Sequence, residues 1–134
     1  MSKPVPQPGS ARAFKTAWFA KAARKARIPD WELCAAVAQA IQGQADDLGG
    51  GVFKKRLNDN MHRSIVLAKG GRHWVFEYLF AKKDRDNIKD DELADFRVLA
   101  AAYARLSSAQ IEQLLTDHDL TEICHASGQT PLQK

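Results

Sequence analysis

The sequence has no run of about 18 apolar residues that would cross a bilayer, and no apolar stretch of the signal-peptide kind near its N-terminus. It has only two cysteines, Cys34 and Cys124, too few for a disulfide-scaffolded fold and, without an export signal, no argument for a disulfide at all. No group of His, Cys, Asp and Glu has metal-ligand spacing, and the one glycine run, Gly49 to Gly51, lacks the GxxxxGK[ST] pattern of a phosphate loop. These absences exclude a membrane-spanning protein, a metalloenzyme and a nucleotide-binding domain of the common kind. They leave a cytoplasmic protein with no cofactor. At 134 residues, with 45% hydrophobic and 27% charged, one domain can bury enough surface to fold without a staple.

Acidic residues are also missing from the first 29 positions, which hold seven Lys and Arg. Residues 30–51 reverse this with four acidic and no basic side chains, residues 52–85 hold nine basic against three acidic, and residues 86–134 hold four basic against nine acidic. The net charge of +4 is therefore a basic N-terminal and central part set against an acidic tail. That asymmetry suits attraction of a polyanion, or equally the solvated faces of ordinary helices.

Residues 1–10 hold three of the five prolines and almost nothing apolar, so they read as a flexible tail, with a single domain over 11–134. A short extended piece at Ala13 to Thr16 precedes a helix with Trp18, Phe19, Ala22, Ala23 and Ala26 on its apolar side. Pro29 stops it, and Asp30 is the expected N-cap of a second helix that carries Leu33, Cys34, Val37 and Ile41, Cys34 reading as a buried free thiol. The period then changes to two. Val52 to Leu57, Arg63 to Lys69 and Trp74 to Lys82 read as strands, the last two joined by a Gly70-Gly71 hairpin turn. In the last strand Trp74, Phe76, Tyr78 and Phe80 form an aromatic stripe, read as core because helices must cover one face of so small a sheet. Helices return at Asp90 and, with a Ser107/Gln110 capping box, at about residue 107, while Leu120 to Cys124 is either a helix end or an extra strand. The order is that of an α+β fold: a small antiparallel β-sheet packed against N-terminal helices, with a C-terminal helical extension.

Chemistry concentrates in the strands. Alternation in Val52 to Leu57 places Phe53, Lys55 and Leu57 on one face and Lys54 and Arg56 on the other. Arg63 in the next strand, and Lys82, Lys83 and Arg85 after the last, can join Lys54 and Arg56 on an open face. The cluster reads as a phosphate-holding site or as charge that protects an edge strand. A lysine packed among cations is a candidate proton-transfer group, and attack of a ribose 2′-OH on its own phosphate needs no metal. His62 and His73 start strands near the basic residues and read as acid-base or phosphate contacts, or as plain loop histidines. Cys124-His125 resembles a fragment of a metal site without further ligands.

Phe14 to Phe19, the Gly49-Gly50-Gly51-Val52 loop, the strand with Arg63, and above all Phe80-Ala81-Lys82-Lys83-Asp84-Arg85-Asp86-Asn87-Ile88 resemble the RelE-like toxins of bacterial type II toxin-antitoxin systems, within the RelE/ParE superfamily. The resemblance spans about residues 12 to 125. It implies a compact α+β RNA endonuclease, an mRNA interferase that commonly cuts messenger RNA on the ribosome and is neutralised by a cognate antitoxin, often a helix-turn-helix protein. It implies catalytic roles for Lys54, Arg56, Arg63 and Lys83, with Arg85 close by; Lys55, Lys82, His62 and His73 are candidate RNA or phosphate contacts from their places beside these residues. The prototype's base-stacking tyrosine falls near Lys89, where this sequence has no aromatic residue. Two other expectations stay open: a non-enzymatic toxin of the ParE kind acting on DNA gyrase, and a binding domain without toxicity.

Overall fold

The computed structural model describes residues 11–70 and 72–124; the tail expected over residues 1–10 and His125 lie outside the described residues. Ten elements follow in the order β1 (Arg12–Thr16), α1 (Ala17–Lys25), α2 (Asp30–Ile41), β2 (Asp46–Asp47), β3 (Val52–Leu57), β4 (His62–Lys69), β5 (His73–Ala81), α3 (Asp90–Ala104), α4 (Ser108–Thr116) and β6 (Leu120–Ile123). The strands form one sheet in the order β2-β3-β4-β5-β1-β6, which with four helices makes the expected α+β fold. The sheet is mixed where sequence patterning gave an antiparallel one. β1 runs parallel to β5, with Ala13 opposite Trp74 and Phe14 opposite Val75, and a parallel neighbour requires the long crossover that α1, α2 and the β2–β4 strands supply.

Local signals explain most boundaries. The Thr16 hydroxyl accepts from Phe19 N at 3.0 Å, so β1 turns directly into α1. Asp30 does not cap α2: Pro29 is the N-cap, and the Asp30 carboxylate accepts from Lys15 Nζ at 2.7 Å instead. Ser107 and Gln110 form the reciprocal capping box at α4. The segment from Ser107, read as a helical extension, is α4 followed by β6, which pairs with β1. Glycine is required at Gly50, whose φ is +65° and whose missing Cβ would sit 2.7 Å from Arg97 Cγ. Arg97 reaches over this loop from α3 and donates to the carbonyls of Leu48 and Gly49, so the glycine run is a seat for α3.

Helices cover both faces, correcting the one-sided arrangement. Under α1 and α2 lie Phe19, Leu33, Val37, Trp74 and Phe76. Under α3 and α4 lie Phe14, Ile65, Leu67, Val75, Phe80 and Ile111. The aromatic stripe of β5 is divided between the two. A bulge sets Ile65 opposite Tyr78 but Val66 opposite Phe76, leaving Glu77 as the extra residue. Trp74 and Phe76 therefore join the first core, while Tyr78 and Phe80 pack with the second. Burial raises the Glu77 carboxyl to about 7, against a smaller opposing effect of the Tyr103 hydroxyl 3.4 Å away.

The cysteines also depart from expectation. Cys34 on α2 and Cys124 just after β6 form a disulfide, with Cα atoms 5.3 Å apart and a sequence separation of 90. Cys34 does lie on the apolar stripe of α2, but that stripe packs over the end of β6 and so faces the second cysteine, leaving no free thiol among the described residues.

Candidate nucleic-acid interface

The pairing of β3 with β4 places Arg56 directly opposite Arg63, and Arg63 is opposite Phe80 of β5. Cross-strand partners share a face, so these three side chains make a row across the α3 side of the sheet, about 5 Å per step. Like charges opposite one another destabilise a sheet, which makes Arg56 and Arg63 costly unless an anion lies over them. Arg63 is only 9% exposed. Its Nη1 donates to the carbonyls of Asn60 at 3.0 Å and His62 at 3.3 Å, fixing the guanidinium against the β3–β4 turn. Arg56 is exposed beside it. Lys54 lies on the same face, two residues along β3, with its Nζ 3.8 Å from the Asp46 carboxylate of β2.

At the same end of the sheet, Lys82 and Lys83 leave β5 exposed, with Lys82 N donating to Met61 O at 2.9 Å. Met61, His62, Ala81, Lys82, Lys83 and Asp86 border an open cleft of about 550 Å³. Among the described residues no carboxylate pairs with Arg56, Arg63, Lys82 or Lys83. Arg85 differs. Its guanidinium pairs with Glu92, lies 3.4 Å from the Tyr78 hydroxyl and sits over the Phe80 ring at 5.4 Å. The hydrogen bond to Arg85, and then that from Lys89 N, holds the Glu92 carboxyl below its ordinary range, and the same pairing raises the Arg85 guanidinium.

The family model described as "RelE toxin of RelE / RelB toxin-antitoxin system" matches residues 11–123. The chain belongs to the RelE toxin family. No curated protein and no solved structure matches it significantly. Membership makes this RelE-family chain the toxin of a toxin-antitoxin system and implies an antitoxin partner. No helix among the described residues is long and apolar enough to cross a membrane, and the described residues hold no metal-binding group of His, Cys, Asp and Glu.

Within this RelE-family toxin Lys54, Arg56 and Arg63 share one sheet face, Arg85 sits over the Phe80 beside Arg63, and Lys82 and Lys83 border the cleft at the same end together with His62, while Lys55 and His73 lie apart. Lys55 faces α2 and donates to Gln44 O at 2.8 Å; burial and then the neighbouring Arg56 charge lower its ammonium. His62 is opposite Leu57 and so also faces α2. His73 stands at the far end of β5, against Phe14 at 5.8 Å. It stands eight positions before Ala81, the partner of His62, roughly 25 Å of strand away. Lys89, at the place of the prototype's tyrosine, is exposed at the start of α3 and offers its N–H to Glu92 Oε1 at 2.7 Å. The acidic segment from Ser107 does not cross the basic face among the described residues, because α4 packs against β6, on the edge of the sheet away from β3.

Sequence reasoning missed the residues that set His62. Glu32 of α2 accepts from Asn58 N, and Asn58 Nδ2 contacts His62 Nδ1 at 3.1 Å. The available signal was the polar turn Asn58-Asp59-Asn60, whose three residues all adopt positive φ, a conformation that Asn and Asp tolerate best among non-glycine residues.

Proposed function

We propose that this toxin is a metal-independent endoribonuclease that cuts messenger RNA on the ribosome, in the cytoplasm, and is silenced by an antitoxin of the helix-turn-helix kind. The observation that carries the reading is the Arg56–Arg63 pair, two guanidinium groups on opposed positions of one sheet face with no carboxylate partner among the described residues. Guanidinium groups in that arrangement suit the non-bridging oxygens of a phosphodiester, whose negative charge grows as a fifth oxygen approaches phosphorus. The ribose 2′-oxygen forms the new P–O bond as the bond to the 5′-oxygen breaks, giving a 2′,3′-cyclic phosphate and a free 5′-hydroxyl. Lys54 receives the 2′-hydroxyl proton as a neutral amine, released from its contact with Asp46, and Lys83, as an ammonium at the exit of β5, supplies one to the leaving oxygen. Lys82 and Arg85 extend the phosphate contacts, with Arg85 held by Glu92 and so less free to move.

The test is induction of the wild-type chain beside a Lys54→Ala, Arg56→Ala double mutant, with growth and transcript ends as readouts. The wild type arrests growth and leaves cut transcripts, and the double mutant does neither. Equal arrest with intact transcripts sinks the assignment. Inhibition of purified gyrase in a supercoiling assay, without RNA cleavage, identifies the ParE-type activity in its place.

A further inference from the structure

Six of the seven basic residues before Asp30 lie among the described residues; Arg27 borders a cleft with Arg56, and the other five sort into two groups. Arg12 is bound across β1–β6 to both carboxylate oxygens of Glu122, and Lys15 is paired with Asp30. Lys21, Arg24 and Lys25 stand exposed on the outer side of α1, with no ion pair among the described residues. On that side, one turn before Lys21, is Trp18, 53% exposed despite its size.

Trp18 is held in place. Its ring stacks on Tyr78 with centroids 5.3 Å apart and 28° between planes. The Tyr78 hydroxyl lies 3.4 Å from Arg85 Nη1, and the Tyr78 ring is 5.8 Å from Phe80, the strand neighbour of Arg63. An unbroken row thus runs from Arg56 and Arg63 through Phe80 and Tyr78 to Trp18, and along α1 to Lys21 and Lys25, which are one turn apart.

We propose that the outer face of α1 continues the RNA path away from the sheet, with Trp18 stacking on a nucleobase and Lys21 and Lys25 contacting phosphates of a single strand. A fixed, half-exposed indole backed by a second ring and followed by cations at helical-turn spacing combines the two devices that bind single strands without reading sequence. An acidic peptide would need the cations but gives no reason for the indole. The direction of the path rests on the ribonuclease reading, whereas the binding face does not.

The experiment measures affinity of the full chain for a labelled 12-nucleotide RNA of 2′-O-methyl ribose, which cannot be cleaved through its 2′-oxygen. The variants are Trp18→Ala, Trp18→Phe, a Lys21→Glu, Lys25→Glu double mutant, and an Arg72→Glu, Arg105→Glu double mutant that changes net charge equally at exposed positions elsewhere. Trp18→Ala is expected to weaken binding about tenfold, with Trp18→Phe recovering most of it. The α1 double mutant is expected to weaken it at least tenfold and to reduce the slope of log affinity against log salt by about 1.4, from two lost phosphate contacts. The control mutant should change neither by as much. Equal effects of the two double mutants overturn the proposal, as does unchanged affinity in Trp18→Ala. Loss of antitoxin binding with RNA affinity intact assigns the face to a protein and overturns it as well. A wild type that binds the oligomer through α1 but cuts no transcript removes the ribonuclease reading alone; cleavage in cells by a chain whose α1 mutant binds the oligomer normally removes this one alone.

Discussion

The two faces of the sheet are made from alternate residues of the same strands, yet they carry different work. Toward α1 and α2 the strands present Leu57, Val66, Trp74, Phe76 and Leu79, and this layer is cross-linked through Cys34 and Cys124. Toward α3 and α4 they present Ile65, Leu67, Val75 and Phe80, and with them Arg56, Arg63 and the half-buried Glu77. One face is specialised for cohesion. The other combines cohesion with charged groups, Arg56 and Arg63 near the open strand ends and Glu77 in the middle of β5 under Tyr103 of α3. Toward α2 the strands also carry a cation, Lys55, which donates to Gln44 O and whose ammonium burial lowers.

Truncation on the cohesive face gives the largest expected effect. Phe76 is fully buried against Phe19, with ring centroids 5.1 Å apart, so Phe76→Ala should cost about 3–5 kcal/mol of stability. Urea denaturation measures it, and a cost as small as that of an exposed substitution would break the contrast between the faces. Reduction of the disulfide comes next. Closing a loop across a sequence separation of 90 contributes about 2–4 kcal/mol, so the urea midpoint should fall on addition of dithiothreitol, and an unchanged midpoint denies the cross-link its role.

The smallest effect sharpens the other face through its pH dependence. With its carboxyl raised to about 7 in the folded state and near the ordinary carboxylate value when unfolded, Glu77 binds its proton more tightly folded than unfolded between those values. Its protonated form thus favours the fold below the unfolded value, and that contribution is lost as pH rises through about 7, at a cost of order 2 kcal/mol. Glu77→Gln should therefore flatten the melting temperature against pH between about 5 and 8 and raise it at the alkaline end. Parallel pH curves for mutant and wild type would contradict the assigned burial.

How much was legible in the sequence follows from the length and locality of each signal. β3, β4 and β5 were legible because each alternates over at least six residues. β2 has two residues and β6 four, too few for a period. The Glu77 bulge was hidden because Trp74, Phe76, Tyr78 and Phe80 alternate perfectly in sequence, although the inserted residue changes faces halfway. Pairing of Cys34 with Cys124 depends on where α2 lies across the sheet, which no local pattern encodes. In the site, alternation put Lys54 and Arg56 on one face, but the opposition of Arg56 to Arg63 depends on the register set by the turn at Asn58 to Met61, and the pairing of Arg85 with Glu92 on the path of the loop into α3. His73 was misplaced for a reason open to sequence logic: successive antiparallel strands begin at opposite ends of a sheet, so residues that start β4 and β5 cannot be neighbours.

The position of β1 bears on how the molecule is made. This strand lies between β5 and β6, and its contact with β6 joins residues 110 positions apart, as in the Arg12–Glu122 pair. Such distant pairing slows folding. During synthesis one hydrogen-bonding edge of β1 has no partner until residues 120–123 have emerged from the ribosome. The sheet is therefore finished from its first strand by its last, and a nascent chain stopped short of β6 lacks both the closing strand and the cysteine that secures it.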